Sequence, residues 1–164
     1  MNYLTCSLLN DKEIKILKTN LDFNSNSWED GKKTAGSFAS KVKNNLQLDR
    51  NSSISKKNAE FVVKKILNNS LIKSFALPKI IHSVMFTKSL KGMKYGRHID
   101  NAFMSTGRAD LSFTIFLSDK KDYEGGNLVI ETINNENKFK LDKGEIIIYP
   151  STYLHSVEKI TSGE

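Results

Sequence analysis

Cysteine, histidine and long apolar runs are all scarce in this sequence. Its 164 residues include one cysteine and three histidines, and no apolar stretch approaches the ~20 residues that a membrane-spanning helix needs. The single cysteine, Cys6, excludes an internal disulfide and a thiolate zinc site, which is typical of a protein in a reducing compartment. Met1–Asn10 lacks the basic and apolar segments of a signal peptide. We therefore expect a cytoplasmic protein without a membrane anchor.

Basic charge is abundant but scattered. The formal net charge is +7, yet the lysines form no dense run and no RNA-binding aromatic motif accompanies them. A nucleic-acid partner would show itself by salt-dependent binding. A solvated basic surface is the better interpretation, so a nucleic-acid-associated protein is the least supported functional hypothesis.

The hydrophobic period changes near Pro78 from helical to strand-like. Before Pro78, apolar residues recur at helical spacing, which predicts one helix from an N-cap at Asp11 to about Asn20 and another over Ser55–Asn69. Strands are predicted over Tyr3–Leu9, Ile80–Lys88, Leu111–Ser118, Asn127–Thr132, Lys138–Leu141, Glu145–Tyr149 and Tyr153–Glu158. Helices followed by many short strands favour an α+β fold, with helices supporting a β-sandwich or barrel.

Two of the three histidines fall in a pattern typical of a metal site. On an extended chain, residues i and i+2 project from the same face, so His98 and Asp100 can point at one ion. His155 lies in a later predicted strand and could complete a two-histidine, one-carboxylate triad, the ligand set of non-haem Fe(II) oxygenases. This short pattern is weak evidence alone, because a histidine beside an aspartate is often only a surface hydrogen bond.

The sequence around these residues resembles a known family, the PKHD-type hydroxylases. These enzymes belong to the Fe(II)/2-oxoglutarate dioxygenases and are close to the prolyl 4-hydroxylases. The block before Leu48 is the more discriminating part, because the wider superfamily shares only the histidine–aspartate pair and the distant histidine. The similar segments, in chain order, are Trp28–Lys32, Thr34–Gly36, Val42–Leu48, Tyr95–Ala102, Arg108–Ser112, Phe116–Ser118, Asp122–Glu131, Gly144–Ser151 and Leu154–Val157.

The resemblance implies a fold, a cofactor set and a reaction. The fold would be a double-stranded β-helix, or jelly roll, in which residues 1–77 form a helical support and residues 78–164 the oxygenase core of the same domain. His98, Asp100 and His155 would be the catalytic iron ligands. Fe(II), the cosubstrate 2-oxoglutarate and the reductant ascorbate would serve hydroxylation of an unactivated carbon, with O2 consumed and succinate and CO2 released. The substrate would be prolyl, another peptidyl group or a small molecule, and the sequence does not indicate an oligomeric state.

The resemblance also predicts a residue that lies outside this sequence. In the family, an arginine shortly after the second histidine binds the distal carboxylate of 2-oxoglutarate, and here its position would follow Glu164. The last strands of the jelly roll would follow Glu164 too. Because a buried carboxylate without a cationic partner is costly, we expect this chain to bind 2-oxoglutarate weakly unless another base substitutes.

Several residues near the triad have both a functional and a structural interpretation. Tyr95 could donate its hydroxyl to the cosubstrate or be an ordinary aromatic of the barrel. Ser112 and Thr114 could line the cofactor pocket or face solvent. His82 is more simply explained as a hydrogen-bonded structural histidine, and Arg108 as a partner of Asp110. A non-catalytic jelly-roll module that keeps the metal as a structural element is the alternative to the enzyme, and succinate production separates the two.

Overall fold

A computed structural model describes residues 3–21 and 27–164. The helices of this part are α1 (Asp11–Leu21), α2 (Ala39–Val42), α3 (Ser53–Asn68) and α4 (Ser70–Ala76), with a 3₁₀ turn at Gly31–Thr34. The strands are β1 (Leu4–Ser7), β2 (Trp28–Asp30), β3 (Lys43–Asn44), β4 (Leu46–Leu48), β5 (Thr87–Lys88), β6 (Lys94–His98), β7 (Phe103–Met104), β8 (Gly107–Arg108), β9 (Leu111–Ile115), β10 (Tyr123–Gly125), β11 (Leu128–Glu131), β12 (Glu136–Phe139), β13 (Glu145–Pro150), β14 (His155–Val157) and β15 (Ile160–Gly163). All described helices precede Pro78, as the change of period predicts.

Helix α1 begins with a reciprocal cap formed by Asn10 and Glu13. The Glu13 backbone N–H donates to the Asn10 side-chain oxygen, and the Asn10 backbone N–H donates to the Glu13 carboxylate, each at 3.0 Å. This capping box satisfies two backbone donors that a helix start leaves free. The predicted N-cap at Asp11 is therefore wrong by one residue. Asp11 is the first helical residue, where its negative charge still favours the helix dipole.

The second helical region contains two helices rather than one. Helix α3 agrees with the predicted segment, and its first turn is capped by the Ser52 hydroxyl, which accepts from the Ser55 N–H at 3.1 Å. Asn69 ends α3 and caps α4, because its side-chain oxygen accepts from the Ile72 N–H at 3.0 Å. Helix α4 has only seven residues, too few for a clear helical period. No described helix has the length and apolar character to cross a bilayer.

Two antiparallel sheets form the body of the fold. One has the strand order β12-β11-β14-β6-β3, and the other has the order β1-β13-β9. One hydrophobic cluster, which we call the cluster between the sheets, contains Phe116, Leu128, Ile130, Ile147 and Tyr149. A second cluster, which we call the helical cluster, joins the outer face of β13 to the helices. Its members include Ile14, Leu17, Val62, Ile66, Ile146 and Ile148.

Strand β13 is buried on both faces, and this explains its uninterrupted apolar sequence. Ile146 and Ile148 belong to the helical cluster, whereas Ile147 and Tyr149 belong to the cluster between the sheets. Ile146 and Ile147 have no exposed surface. Complete burial of one such side chain stabilises a fold by ~1.5–3 kcal/mol. Strand β13 therefore ties the N-terminal helices to the sheet that carries the candidate site.

Several parts of the chain differ from the predicted strands, since no strand was predicted where β2, β4 and β10 form. In the predicted strand Ile80–Lys88, only Thr87–Lys88 is a strand, which pairs with β4. Ile81 and Val84 still pack on the helical cluster, so their apolar spacing reflects packing without a β-ladder. Ile160–Gly163 forms β15 and pairs with β10, although the sequence analysis assigned no strand there. Four other predicted strands are confirmed with shorter bounds, as β1, β9, β11 and β14. The predicted strand Glu145–Tyr149 extends to Pro150, and the predicted strand Lys138–Leu141 is shifted to Glu136–Phe139.

Candidate metal centre

Pairing of β6 with β14 brings His98 and His155 together. The strands are antiparallel, with His155 opposite His98 and Val157 opposite Tyr95. The two imidazole centroids are 4.2 Å apart, and both side chains are buried. The short strands thus join two residues that are far apart in sequence.

A β-bulge in β6 changes which side chains face this centre. The register shifts between the two residue pairs, so that Tyr95 to His98 spans one more residue than Val157 to His155. In a regular strand, residues three apart would point to opposite faces, but a bulge lets both turn to one face. Tyr95 and His98 consequently stack, with ring centroids 3.6 Å apart and planes 16° from parallel.

Asp100 completes the group just after β6 ends. One carboxylate oxygen lies 3.8 Å from His98 Nε2, and the other lies 3.6 Å from His155 Nε2. The ligand-type atoms of the three residues all lie within 4.8 Å of one another. The Asp100 backbone N–H donates to the Ser151 carbonyl at 3.2 Å, which holds the loop in place. The structure therefore assembles the predicted triad.

The hydrogen bonds of the two imidazoles determine which nitrogen is available to a metal. His98 Nδ1 lies 2.8 Å from the Gly96 carbonyl, and His155 Nδ1 lies 2.9 Å from the Tyr153 carbonyl. Because a carbonyl can only accept, each Nδ1 carries the proton and each Nε2 keeps a free lone pair. Burial, and then the neighbouring His155, lower the pKa of His98 from 6.5 to about 4. Neutral imidazoles beside a carboxylate fit a divalent transition metal.

The predicted pocket residues lie around this triad. The Ser112 hydroxyl donates to Asp100 at 2.6 Å, so Ser112 orients a ligand-type carboxylate. Thr114 lines the same cavity and hydrogen-bonds Tyr149. Burial, and then the charge of Asp100, raise the pKa of Tyr95 to about 12, so its hydroxyl is a donor at neutral pH. The alternation of β9 thus separates Ser112 and Thr114 from the apolar residues that pack on the helical cluster.

Structural roles account for the other residues that the sequence singled out. His82 is not part of the triad, because its ring nitrogens bond Thr106 Oγ1 at 2.6 Å and the Arg108 carbonyl at 3.0 Å. The Arg108 side chain pairs with Asp110, as the default interpretation predicts. Asn101 accepts the Phe103 N–H in the loop that follows β6.

Two residues at the centre were not identified from the sequence as functional. Ser151 has no exposed surface, and its hydroxyl donates to the Ala109 carbonyl at 2.7 Å while its own carbonyl holds Asp100. Lys43 of β3 lies opposite Tyr95 and is only 4% exposed. A lysine that follows a short helix normally lies in solvent, so the only sequence signal was its place in the resembling block Val42–Leu48.

Comparison with solved structures identifies the class of fold. A prolyl-4-hydroxylase from Pseudomonas putida superimposes with a TM-score of 0.66 at 13% identity, over 98% of this chain and 87% of that chain. A prolyl hydroxylase from Trichoplax adhaerens, solved with a peptide fragment of the hypoxia-inducible factor oxygen degradation domain, gives a TM-score of 0.66 at 15% identity, over 98% of this chain and 79% of that chain. The fold is the double-stranded β-helix of these oxygenases, as predicted.

Sequence comparison identifies the family. Residues 83–164 match the model of the 2OG-Fe(II) oxygenase superfamily. A PKHD-type hydroxylase from Prochlorococcus marinus strain MIT 9215 is 71% identical over 164 residues, which is 100% of this chain and 74% of that protein. One from strain NATL1A is 55% identical over 164 residues, again 100% of this chain and 74% of that protein. The chain belongs to the PKHD-type hydroxylase family of 2OG-Fe(II) oxygenases.

Family membership defines the activity and the cofactors. The protein is an Fe(II)- and 2-oxoglutarate-dependent dioxygenase that hydroxylates its substrate and consumes O2. These findings favour the enzyme over the non-catalytic binding module. The cofactor predictions of Fe(II) and 2-oxoglutarate are confirmed, whereas ascorbate as the reductant stays a prediction.

Proposed function

We propose that His98, Asp100 and His155 bind the catalytic Fe(II), and that the substrate is a prolyl or other peptidyl group. The observation that carries the first part is the convergence of three ligand-type atoms within 4.8 Å. Both histidines direct Nε2 towards Asp100 because their Nδ1 atoms donate to the carbonyls of Gly96 and Tyr153, each two residues earlier in the chain. In this proposal, residues 1–77 support the oxygenase core formed by residues 78–164.

The chain's own residues hold and orient the reactants. When bound, Fe(II) together with 2-oxoglutarate and O2 supplies the oxidant that hydroxylates an unactivated carbon, with succinate and CO2 released. Three protein ligands leave coordination positions open for small molecules. Ser112 fixes the orientation of Asp100, and the protonated Tyr95 hydroxyl donates to the cosubstrate. Thr114 lines the cofactor part of the cavity.

The cavity beside the triad supports a peptidyl substrate. It has a volume of about 1050 Å³, slightly above the roughly 300–1,000 Å³ of ordinary small-molecule pockets. Ile80, Met85 and Ile99 line it and remain substantially exposed. Exposed apolar side chains around a polar centre suit an extended chain with an apolar residue such as proline. The peptide present in the Trichoplax structure is consistent with this choice.

Anaerobic titration of Fe(II) in the presence of 2-oxoglutarate tests the metal site. We expect a visible metal-to-ligand charge-transfer band for the wild-type protein and none for His155→Ala. A His82→Ala variant serves as the control, because His82 is bonded outside the triad. An undiminished band in His155→Ala would refute the assignment of His155. Hydroxylation of proline-containing peptides, read by mass spectrometry with succinate release, tests the substrate class.

A further inference from the structure

A row of buried polar side chains lies on the segment formed by β3, β4 and the residue between them. Lys43, Asn45 and Gln47 are only 4%, 7% and 4% exposed, whereas Asn44 is exposed and Leu46 is half-buried. All three buried residues line the cavity beside the metal centre. Because alternate residues of an extended chain share a face, the row forms one polar strip of the cavity wall. Buried polar groups are costly unless they are hydrogen-bonded.

Asn45 has hydrogen-bonding capacity that the described residues do not meet. Within residues 3–21 and 27–164, its Oδ1 is fully buried and has no hydrogen-bond partner. The atom lies against Gly31, where a Cβ would be only 2.0 Å away. The backbone is fixed, since the Asn45 carbonyl accepts the Gly31 N–H at 2.9 Å. The Cβ–Cγ torsion of an asparagine has a broad range, so the amide can turn its oxygen or its nitrogen to a ligand in the cavity.

Gln47 has a donor without a strong acceptor. Its Oε1 accepts from the Thr34 hydroxyl, and this bond fixes the orientation of the amide. Its Nε2 contacts the Met85 thioether sulfur at 3.8 Å. A thioether is a weak acceptor, and an amide nitrogen has two N–H donors. Gln47 can therefore donate to a carbonyl oxygen of a ligand that lies along the same wall.

The spacing of the two amides matches the backbone of an extended peptide. Residues two apart in an extended chain are separated by about 6.6 Å, and an extended ligand repeats its same-side backbone groups over the same distance. A side-chain amide offers both a donor and an acceptor, which complements the C=O and N–H groups of a peptide. A ligand along this wall stays near the triad, because Lys43 in the same row lies opposite Tyr95, which stacks on His98.

We propose that the side-chain amides of Asn45 and Gln47 bind backbone groups of an extended peptide substrate, next to the residue that reacts at the metal centre. The Gln47 Nε2 donates to a peptide carbonyl, and the Asn45 Oδ1 accepts a peptide N–H. This inference rests on the proposed function and deepens it, because these two residues select a peptide over a small molecule. The selection is independent of the substrate's side chains, since every peptide carries the same backbone groups.

Binding of the peptide acetyl-Ala-Ala-Pro-Ala-Ala-amide tests the proposal. Its dissociation constant is measured by calorimetry without oxygen, on protein loaded with Fe(II) and 2-oxoglutarate. Asn45→Ala and Gln47→Leu should each weaken peptide binding about fivefold or more. Asn44→Ala is the matched control, because Asn44 is an exposed neighbour in the same segment, and it should bind the peptide like the wild-type protein.

Two further measurements on each variant separate substrate binding from other effects. The affinity for 2-oxoglutarate should stay unchanged, because neither amide is proposed to contact the cosubstrate. The thermal unfolding temperature reports on the fold, and Gln47→Leu carries the test if Asn45→Ala alone is destabilised. In hydroxylation assays, the KM for the peptide should rise in both variants while kcat changes little.

Ester analogues of the peptide test recognition of the backbone directly. Replacing one backbone amide by an ester removes an N–H and keeps the length of the chain. Among analogues with the ester at each alanine in turn, one should bind the wild-type protein about fivefold more weakly than the parent peptide. The same analogue should bring no further loss in Asn45→Ala, because the group that accepts this N–H is already absent.

The failures of this inference and of the proposed function differ. Equal peptide affinity in the wild-type protein, Asn45→Ala and Gln47→Leu would overturn the inference and leave a peptidyl substrate intact. The Asn45 amide would then be satisfied by water alone. If the wild-type protein neither binds nor hydroxylates this peptide, a prolyl peptide is refuted as the substrate, and the inference falls with it.

Discussion

The Ser112 hydroxyl donates a 2.6 Å hydrogen bond to the Asp100 carboxylate oxygen that faces His155. This bond links the middle of β9 to the loop after β6, and it restrains the rotation of the one proposed ligand that is not buried. Hydrogen bonds to metal ligands of this kind commonly contribute 10- to 100-fold to metal affinity. The relationship between Ser112 and Asp100 therefore leads to a direct test.

Substitution of Ser112 by alanine should weaken Fe(II) binding by about 10-fold or more, because Asp100 loses its orienting donor. The measurement is anaerobic Fe(II) titration followed by calorimetry. Ser105→Ala is the matched control, since Ser105 is exposed in the turn between β7 and β8. Equal iron affinity in the wild-type protein and the Ser112→Ala variant would show that Asp100 is held by the backbone alone.

Substitution of His98, Asp100 or His155 by alanine should abolish succinate formation. The loss of activity should exceed the roughly 10- to 100-fold effect of substituting a residue that only hydrogen-bonds a metal ligand, because a ligand itself is removed. Thermal unfolding of the metal-free proteins should change far less than turnover, since the triad contributes little to either hydrophobic cluster. Full turnover by any one of these variants would remove that residue from the triad. His82→Ala should retain turnover.

Glu13 should make the free energy of unfolding fall in acid. The hydrogen bond from Lys65, and then that from the Asn10 backbone, lower the pKa of Glu13 below its ordinary value of 4.5. The unfolded state therefore binds a proton first as the pH drops. The stabilisation is complete above pH ~4.5 and is lost as the pH falls from there through the lower folded pKa.

Urea unfolding of the metal-free protein between pH 7 and pH 3 checks this expectation. Glu13→Gln keeps a side-chain acceptor for the capping box but cannot titrate, so its unfolding free energy should fall less over this range. Lys65→Met should also flatten the dependence, because it removes the largest cause of the shift. If the unfolding free energies of the wild-type protein and Glu13→Gln fell in parallel with pH, Glu13 would not be the source of the acid dependence.

Ile147→Ala should destabilise the fold by about 2–5 kcal/mol, because it leaves a cavity in the cluster between the sheets. Ile147 has no exposed surface, whereas Ile133 is fully exposed and offers a matched Ile133→Ala control. Urea unfolding at neutral pH measures both variants. A loss of less than about 1 kcal/mol for Ile147→Ala would mean that the cluster rearranges to fill the space.

Much of the candidate site was predictable because it depends on local rules. The spacing of His98 and Asp100 required only the two-residue period of an extended chain, and the alternation of β9 correctly grouped Ser112 with Thr114. The run Glu145–Tyr149 was predicted as a strand, whereas its burial on both faces was recognised only in the structure. By contrast, the segment 80–86 is rich in apolar residues but is not a strand, because apolar content records packing and does not show whether a partner strand is present.

The sequence by itself determined the helical and strand-rich halves, the residue types of the triad and, through resemblance, the family. Only the tertiary structure decided which side chains share the cavity. The bulge in β6 turns Tyr95 to the same face as His98, which no two-residue period predicts. Pairing of β3 with β6 buries Lys43 beside that ring. Register and bulges depend on contacts between distant segments, so local patterns could not place these two residues.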